Sequence, residues 1–276
     1  YVQPDKVSIL VVGNEKEFDK PLASMGTVTP IDITIPEPGA APKPAAGASA
    51  APAAPAASSA EGLALLRKVQ QFVGGKAKID AVKSTRMTMM ITAKTPQGEM
   101  EIESERVDRY PDARREVMKT PMGEMTTVIT PTVGFMASPM GSQDLPSSRR
   151  DSAVGDMRFD VLNVLRNAEK EGYTVTVAGT EKIGDVNAQI LQISIGGSPV
   201  KWWIDPATGR LLRTSRQGRM GEQVVEITHW KEFGGINFPV AANQSAGGQQ
   251  QASIRVTSIE VNPTLDPALF EKPAAK

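Results

Sequence analysis

Few side chains in this sequence could carry catalysis or hold a metal ion. His229, in the segment ITHWKEF, is the only histidine, and the chain has no cysteine. A catalytic triad or a zinc site needs further partners at fixed positions, and the alternation of a strand around His229 does not supply them. We therefore expect His229 to be a structural or surface residue, and we expect the chain not to be an enzyme.

Four glutamates form the other chemically notable group. Glu99, Glu101, Glu103 and Glu105 alternate along EMEIESE, which places them on one face of a strand. Paired carboxylates could perform acid–base chemistry or bind calcium. Because antiparallel sheets commonly turn one polar face to water, we favour a solvated outer face of a sheet.

The composition excludes several classes of function. The 31 Lys and Arg residues balance the 31 Asp and Glu residues, which argues against nucleic acid as the main partner because phosphate binding needs a cationic surface. Without cysteine, disulfides and thiolate metal sites are excluded, and we expect no cofactor in this chain. No run of about eighteen apolar residues occurs, so the sequence predicts no transmembrane helix.

Methionine is concentrated in one part of the chain. Ten of the twelve methionines lie between Met87 and Met157. Thioether side chains are flexible and polarizable, and they suit a surface that binds variable apolar ligands. They would equally fill the gap between a sheet and its covering helices, and the sequence leaves both interpretations open.

The elements that would position these residues follow a segment of low complexity. Residues 39–59 read GAAPKPAAGASAAPAAPAASS. Ala, Gly and Ser supply too little apolar surface to offset the entropy of ordering the backbone, and proline disfavours both helix and sheet. We predict a disordered Pro/Ala-rich linker over residues 37–60 that separates two domains.

After the linker, apolar residues first recur with helical spacing. Leu63, Leu66 and Val69 begin a pattern that predicts a helix over residues 60–75, ended by a pair of glycines. The segment FDVLNVLRNAEKEG predicts a second helix over residues 159–172. Elsewhere the period is two, with turn sequences such as TPQGE and DPATG between alternating runs. These runs give about eleven strands, joined mostly by hairpins.

Consecutive hairpins determine the predicted architecture. They form an antiparallel meander, and an open sheet of about eleven strands tends to curl. Two helices with apolar faces would cover its concave side. We therefore predict a mainly β domain over residues 61–273, a curled antiparallel sheet that forms an incomplete β-barrel covered by helices. An α/β fragment and the linker precede it.

The residues before the linker resemble a known family. YVQPDKVSILVVGN and PLASMGTVTPIDITIP, within residues 1–36, resemble the end of a domain of the insulinase-like (pitrilysin-type) zinc metallopeptidases. The inverted His-x-x-Glu-His zinc motif of that family does not occur in this chain. The resemblance implies that residues 1–36 are the C-terminal fragment of a peptidase α/β domain. It also implies a parent peptidase with zinc bound upstream, and a non-catalytic C-terminal portion.

Three segments of the longer domain carry a second resemblance. WWIDPATGRLLRTS, EITHWKEFGGINFPVA and VNPTLDPALFEKP, within residues 61–273, resemble the periplasmic lipoprotein-carrier family (LolA- and LolB-like). Relatives often have Asp-Gly-x-x-x-Trp where this chain has TPTVGFM, so Phe135 would replace the tryptophan. The resemblance implies an incomplete barrel with a helical lid and a periplasmic or secreted location. The implied partner is an apolar ligand, a lipid acyl chain or a hydrophobic peptide.

We predict that methionine and aromatic side chains line the groove of this domain. Trp202 and Trp203 are consecutive and must point to opposite faces of one strand, so one of them can line the interior. The candidate groove residues are Met87, Met89, Met100, Met118, Met125, Phe135 and Trp203. The alternative function is a protein-interaction module that recruits a substrate or partner to the upstream peptidase domains. A cavity lined by Met and Phe would favour ligand binding, and a solid core with an exposed apolar patch would favour the module.

Overall fold

A computed structural model describes residues 58–96, 98–218 and 221–272. The predicted peptidase-like fragment over residues 1–36 lies outside these residues, and so does most of the predicted linker. The division of the chain into domains therefore stays a prediction.

Helices pack against a large sheet, the α-helices on one face and a 3-10 helix on the other. Those in the described residues are α1 (Ala60–Val73), α2 (Lys76–Ala81), α3 (Ser147–Met157), α4 (Val161–Asn167) and a 3-10 helix (Pro267–Phe270). The apolar spacing predicts α1 and α4, although α4 ends earlier than expected. Helices α2 and α3 are not predicted, because each buries a single apolar side chain and therefore lacks an apolar stripe.

Helix α1 is amphipathic, and a residue at each end fixes its length. At the start, Oγ of Ser59 accepts a hydrogen bond from the N–H of Gly62 at 3.0 Å. Leu66 and Val69 are fully buried, because their spacing directs them towards the sheet. At the end, Gly74 has a φ of 140°, a conformation that favours glycine.

All the strands in the described residues belong to one antiparallel sheet. Their bounds are β1 (Ser84–Thr95), β2 (Gly98–Arg109), β3 (Ala113–Thr120), β4 (Gly123–Ile129), β5 (Gly134–Ser138), β6 (Gly141–Asp144), β7 (Tyr173–Ile183), β8 (Val186–Ile195), β9 (Ser198–Ile204), β10 (Leu211–Gly218), β11 (Gly221–Phe233), β12 (Ile236–Ala246) and β13 (Gln249–Val261). Their order is β6-β5-β4-β3-β2-β1-β13-β12-β11-β10-β9-β8-β7. Strands β6 and β7 form the two edges, so the barrel is incomplete and the predicted fold class is confirmed.

The sheet has thirteen strands rather than about eleven. Strands β5 and β6 form an additional hairpin that the sequence pattern does not reveal. Both are short, and Pro139 interrupts the run between them, so the alternation is too brief to read as two strands. They extend the sheet beyond β4.

Two cores lie on opposite faces of the sheet. We define the inner face as the one that α1 and α4 cover; its core includes Trp202, Leu66, Ile79, Leu165, Leu191 and Ile236, all fully buried. The smaller core lies on the outer face of β2 to β5, where the 3-10 helix packs; it comprises Val107, Ala113, Val128, Phe135 and Phe270. Each fully buried large apolar side chain contributes about 2 kcal/mol, so the inner face fixes how the helices dock.

Candidate ligand-binding cavity

A cavity of about 280 Å³ lies between the inner face of the sheet and the start of α4. Its walls come from strands β1, β2 and β10 to β13, from the end of α1 and from the first residues of α4. The lining is predominantly apolar, and its larger side chains are Met87, Met89, Phe159, Trp230 and Phe238. The cavity therefore offers mainly dispersion contacts and the hydrophobic effect to a ligand.

The cavity is recessed where β12 carries a small side chain. Ala242 faces the interior between Ile227 on β11 and Ile254 on β13, its neighbours in the sheet register. All three residues line the cavity, together with Phe238 and Val240 on the same face of β12. A larger residue at position 242 would occupy the open volume, because protein interiors are otherwise close-packed.

Two of the predicted groove methionines line the cavity. Met87 and Met89 lie on the inner face of β1 and are almost completely buried. They are two residues apart on one strand, so their side chains share a face. Unbranched thioethers can change rotamer to fit ligands of different shape.

The other three predicted methionines lie on the same face but outside the cavity. Met118 and Met125 are paired across β3 and β4, and Ser104 on β2 lies between Met118 and Met89 in the register. Met100 lies four residues before Ser104, on the same face of β2. We call Met89, Ser104, Met118 and Met125 the methionine row. Met100, Met118 and Met125 are half-buried. Through Met118 and Met125, the methionine row extends from the cavity towards the edge of the sheet.

Phe135 and Trp203 face away from the cavity, which corrects the prediction that they line the groove. Phe135 is paired with Val128 and lies in the outer-face core beneath the 3-10 helix. Trp203 lies on the outer face of β9, whereas its neighbour Trp202 is fully buried on the inner face. The physical reason is the register of the hairpins, which decides the face on which each residue lies.

The surroundings of Trp203 make it a structural residue of the outer face. Its Nε1 donates a hydrogen bond to Oε2 of Glu181 at 2.7 Å, and the guanidinium of Arg213 lies 5.4 Å from the centre of its ring. Arg213 also pairs with Glu181 at 2.9 Å and with Glu226 at 2.8 Å. The hydrogen bond from Trp203, helped by Arg213 and opposed by burial, lowers the pKa of Glu181.

Two arginines and two aspartates form an ion cluster beside the cavity. Asp108 accepts hydrogen bonds from Nε of Arg106 at 2.7 Å and from Nε of Arg114 at 2.6 Å. Oδ2 of Asp160 lies 3.3 Å from Nη2 of Arg106 and 3.4 Å from Nη2 of Arg114. Arg106 and Asp160 also line the cavity. The ion cluster, made of these four residues, joins β2 and β3 to the start of α4.

Burial and pairing act in opposite directions on the pKa values of the ion cluster. Burial on its own would raise the pKa of Asp108, but the charges of Arg106 and Arg114 outweigh it and hold that pKa below its usual value. Burial would likewise lower the pKa of Arg106, but Asp108 and Asp160 raise it instead. The two positive and two negative charges of the cluster balance each other.

Tyr110 adds a neutral polar group to the same wall of the cavity. Burial, reinforced by the charges of Asp160 and Asp108, raises its pKa well above the usual value. The guanidinium of Arg166 lies 4.6 Å from the centre of the Tyr110 ring and donates a hydrogen bond from Nε to the carbonyl oxygen of Ile79 at 3.0 Å. Arg166 therefore links α4 to α2 next to the cavity.

The sequence reasoning missed the ion cluster. Arg106 and Asp108 alternate on β2 and face the same way as Ile102, which is buried. Asp160 begins α4, where its Oδ1 accepts a hydrogen bond from the N–H of Leu162 at 3.2 Å. Charged residues at the interior positions of a strand are the signal that could have revealed it, since such residues are rarely buried without partners.

The described residues do not bring metal-binding groups together. Among them, no group of three or more His, Asp or Glu side chains could hold a metal ion. His229 is exposed on β11, with its Nδ1 3.4 Å from Oγ1 of Thr228. The predicted glutamate stripe lies on the outer face of β2, where Glu103 pairs with Lys119 at 2.7 Å. None of the helices in the described residues is long and apolar enough to cross a membrane.

A curled, open antiparallel sheet with helices over an apolar cavity defines the incomplete-barrel fold, and solved structures share it. A putative outer membrane lipoprotein-sorting protein domain from Vibrio parahaemolyticus aligns with a TM-score of 0.52 and 13% identity, over 76% of this chain and 96% of its own. A LolA superfamily protein from Nitrosomonas europaea aligns with a TM-score of 0.53 and 13% identity, over 76% of this chain and 97% of its own. A DUF1329 family protein from Desulfovibrio piger aligns with a TM-score of 0.54 and 11% identity, over 76% and 97%.

These similarities establish the fold. No family model and no curated protein matches the chain, and the structural matches share only 11–13% identity with it. The predicted resemblance to the lipoprotein-carrier fold is confirmed as a statement about architecture. The predicted resemblance of residues 1–36 to peptidases finds no support in these comparisons.

Proposed function

We propose that the carrier-like domain binds a lipid acyl chain, or a hydrophobic peptide segment of similar width, in its cavity. The observation that carries this proposal is the cavity of about 280 Å³, lined mainly by aliphatic and aromatic side chains from both the sheet and the helices. A methylene group takes about the volume of a water molecule in the liquid, ~30 Å³, so the cavity holds about nine methylene groups.

The energetics favour reversible binding. Each buried methylene contributes about 0.8 kcal/mol, so nine methylenes give a gross gain of about 7 kcal/mol. The loss of translational and conformational freedom reduces this gain, which leaves a dissociation constant weaker than about 10 µM. A longer chain can continue along the methionine row, where the half-buried Met118 and Met125 add apolar contacts.

The cavity also supports ligand binding over the alternative function. A filled interior with an exposed apolar patch would favour a protein-interaction module that recruits a substrate or partner. Here Met87, Met89, Phe159 and Phe238 surround open space, and the most exposed large apolar side chains of the described residues, Met122 and Met140, are single residues at two turns.

We propose further that the chain is the non-catalytic C-terminal portion of an exported insulinase-like metallopeptidase that is periplasmic or secreted, with zinc bound upstream. The sequence resemblance of residues 1–36 and the absence of a His-x-x-Glu-His motif from the sequence support this proposal. The name of the Vibrio domain, which refers to outer membrane lipoprotein sorting, agrees with export. A peptidase assay with added zinc tests it, and turnover that a chelator abolishes would contradict it.

Titration of a fluorescent acyl probe into the 276-residue chain tests the acyl-binding proposal. We expect saturable binding of one probe per chain, and native mass spectrometry should detect one bound acyl ligand. Ala242→Phe fills the cavity without adding charge, and we expect it to weaken binding at least about tenfold. Thr92→Phe is the matched control, because Thr92 lies on the outer face, paired with Glu101 and Ser253. Absence of saturable binding, or equal effects of the two variants, would refute the proposal.

A further inference from the structure

The cavity has one polar corner, and its chemistry restricts the ligand that the cavity accepts. Arg106, Tyr110 and Asp160 line this corner, next to walls that are predominantly apolar. Arg106 is one-quarter exposed and Asp160 is 17% exposed. Both side chains therefore retain open space beside them, although each takes part in the ion cluster.

The charges of the ion cluster are already balanced. Asp108 and Asp160 face the two guanidinium groups of the ion cluster at 2.6 to 3.4 Å. A free carboxylate that entered the corner would add a third negative charge to two existing ones. In a partly buried site that charge would lose hydration, and both guanidinium groups of the ion cluster already face carboxylates.

Arg106 keeps a nitrogen with free hydrogen-bond donors at the corner. Nε of Arg106 donates to Asp108 at 2.7 Å and Nη2 donates to Asp160 at 3.3 Å. Within the described part of the chain, Nη1 of Arg106 makes no hydrogen bond, and it is not closed off from open space. A carbonyl oxygen can accept a hydrogen bond from this nitrogen without adding charge.

We propose that the cavity selects acyl chains that end in an uncharged ester or amide over acyl chains that end in a free carboxylate. Nη1 of Arg106 donates a hydrogen bond to the ligand's carbonyl oxygen, while the alkyl chain lies between Met89, Phe238 and Ala242. The rest of the molecule that carries the ester or amide stays outside the cavity. This inference rests on the proposed acyl-binding function and specifies the class of ligand.

The test compares a charged ligand with its uncharged methyl ester. Laurate and methyl laurate displace the fluorescent acyl probe from the 276-residue chain at neutral pH, each below the concentration at which it aggregates. The measured quantity is the selectivity, defined as the dissociation constant of laurate divided by that of methyl laurate. It is compared between variants, so the different hydrophobicity of the two ligands cancels.

Asp160→Asn is the decisive variant. It removes one negative charge from the corner, and asparagine can still begin α4 as its N-cap. We expect the selectivity to fall by about tenfold, because the ligand carboxylate then meets a net positive cluster. Glu226→Gln is the matched control: Glu226 also pairs with an arginine, Arg213, but on the outer face, and we expect its selectivity to equal that of the unmodified chain.

A second ligand comparison keeps the proposal testable if Asp160→Asn does not fold. Dodecyl methyl ether lacks the carbonyl oxygen, and we expect it to bind the unmodified chain several-fold more weakly than methyl laurate. Equal binding of the ether and the ester, or equal selectivity in folded Asp160→Asn and the unmodified chain, overturns this inference while leaving acyl binding intact. Failure of the probe to bind at all overturns the proposed function instead.

Discussion

Trp202 and Trp203 are consecutive on β9, yet they lie on opposite faces of the sheet in different chemical surroundings. Trp202 is fully buried in the inner-face core. Trp203 lies on the outer face, where its Nε1 donates to Glu181 at 2.7 Å and Arg213 covers its ring. The alternation of a strand imposes this arrangement, so the first residue is a packing residue and the second belongs to a polar network.

The two tryptophans therefore respond differently to the same substitution. We expect Trp202→Phe to lower the free energy of unfolding by about 2 kcal/mol, because it leaves a gap in the inner-face core. We expect Trp203→Phe to cost about 1 kcal/mol, the value of one hydrogen bond, and to raise the pKa of Glu181. Urea unfolding and NMR titration of Glu181 measure these effects; an unchanged Glu181 pKa in Trp203→Phe would contradict the network.

Asp108 makes the stability of the domain depend on pH. Its pKa in the folded protein is lower than usual because Arg106 and Arg114 outweigh burial, and its pKa in the unfolded chain is about 3.9. A group with a lowered folded-state pKa contributes stability that is fully present above the unfolded-state pKa. That stability is lost as the pH falls below about 4 towards the folded-state pKa.

Asp108→Asn tests this dependence. We expect it to lower the free energy of unfolding by about 3 kcal/mol at neutral pH, because it leaves two buried guanidinium groups short of a partner. The difference from the unmodified chain shrinks at about pH 3, measured by urea unfolding. Asp151→Asn, at an exposed pair with Arg150, is the control and has a small effect at both pH values. A constant difference for Asp108→Asn would rule out the charge-based explanation.

Methionine oxidation reports directly on burial. Met122 and Met140 are 85% and 97% exposed, whereas Met87, Met89 and Met157 are buried. Because peroxide oxidises accessible thioethers first, we expect Met122 and Met140 to form sulfoxides at least about tenfold faster than the other three. Peptide mass mapping over time measures these oxidation rates. We expect the acyl probe still to bind while only Met122 and Met140 are oxidised. Oxidation of Met89 as fast as Met140 in the folded chain would show that the cavity is open to solvent.

Alternating residues predict the sheet, but they do not predict the face on which each aromatic residue lies. Phe135 lies opposite Val128, and Val128 lies opposite Arg115, on the outer face. Met89 lies on the inner face, and its position depends on the pairing of β1 with β2 and β13. A shift of one residue in any of the intervening hairpins would turn Phe135 inwards. The sequence shows the period of each strand but leaves these registers to turn geometry and to packing of the 3-10 helix.

The cavity and the ion cluster could not be predicted because they depend on contacts between distant segments. Asp160 reaches Arg106 across 54 positions of the chain, and nothing in the residues around either one specifies the other. The recess at Ala242 likewise exists only because Ile227 and Ile254 flank it in the sheet. The concentration of methionine begins at Met87 and Met89, and both residues line the cavity.

Gly74 and Gly75 provide a matched pair for testing how α1 is placed on the sheet. Their φ angles are 140° and 89°, so alanine is strained at both positions. At Gly74 a Cβ atom would also come within 2.5 Å of the carbonyl oxygen of Gly235, in the turn between β11 and β12. At Gly75 a Cβ atom would meet nothing within 4 Å.

The contact with Gly235 therefore distinguishes the cost of backbone strain from the cost of moving α1. We expect Gly75→Ala to lower the free energy of unfolding by about 1 kcal/mol through backbone strain alone, and Gly74→Ala by about 3 kcal/mol, because the end of α1 must also move away from the turn. Val73 ends α1 and lines the cavity, so Gly74→Ala also weakens binding of the acyl probe, whereas Gly75→Ala does not. Urea unfolding measures the stability of each variant, and probe titration measures its affinity for the acyl probe. Equal losses of stability and affinity in the two variants would mean that only backbone conformation matters at these glycines, and not the position of α1.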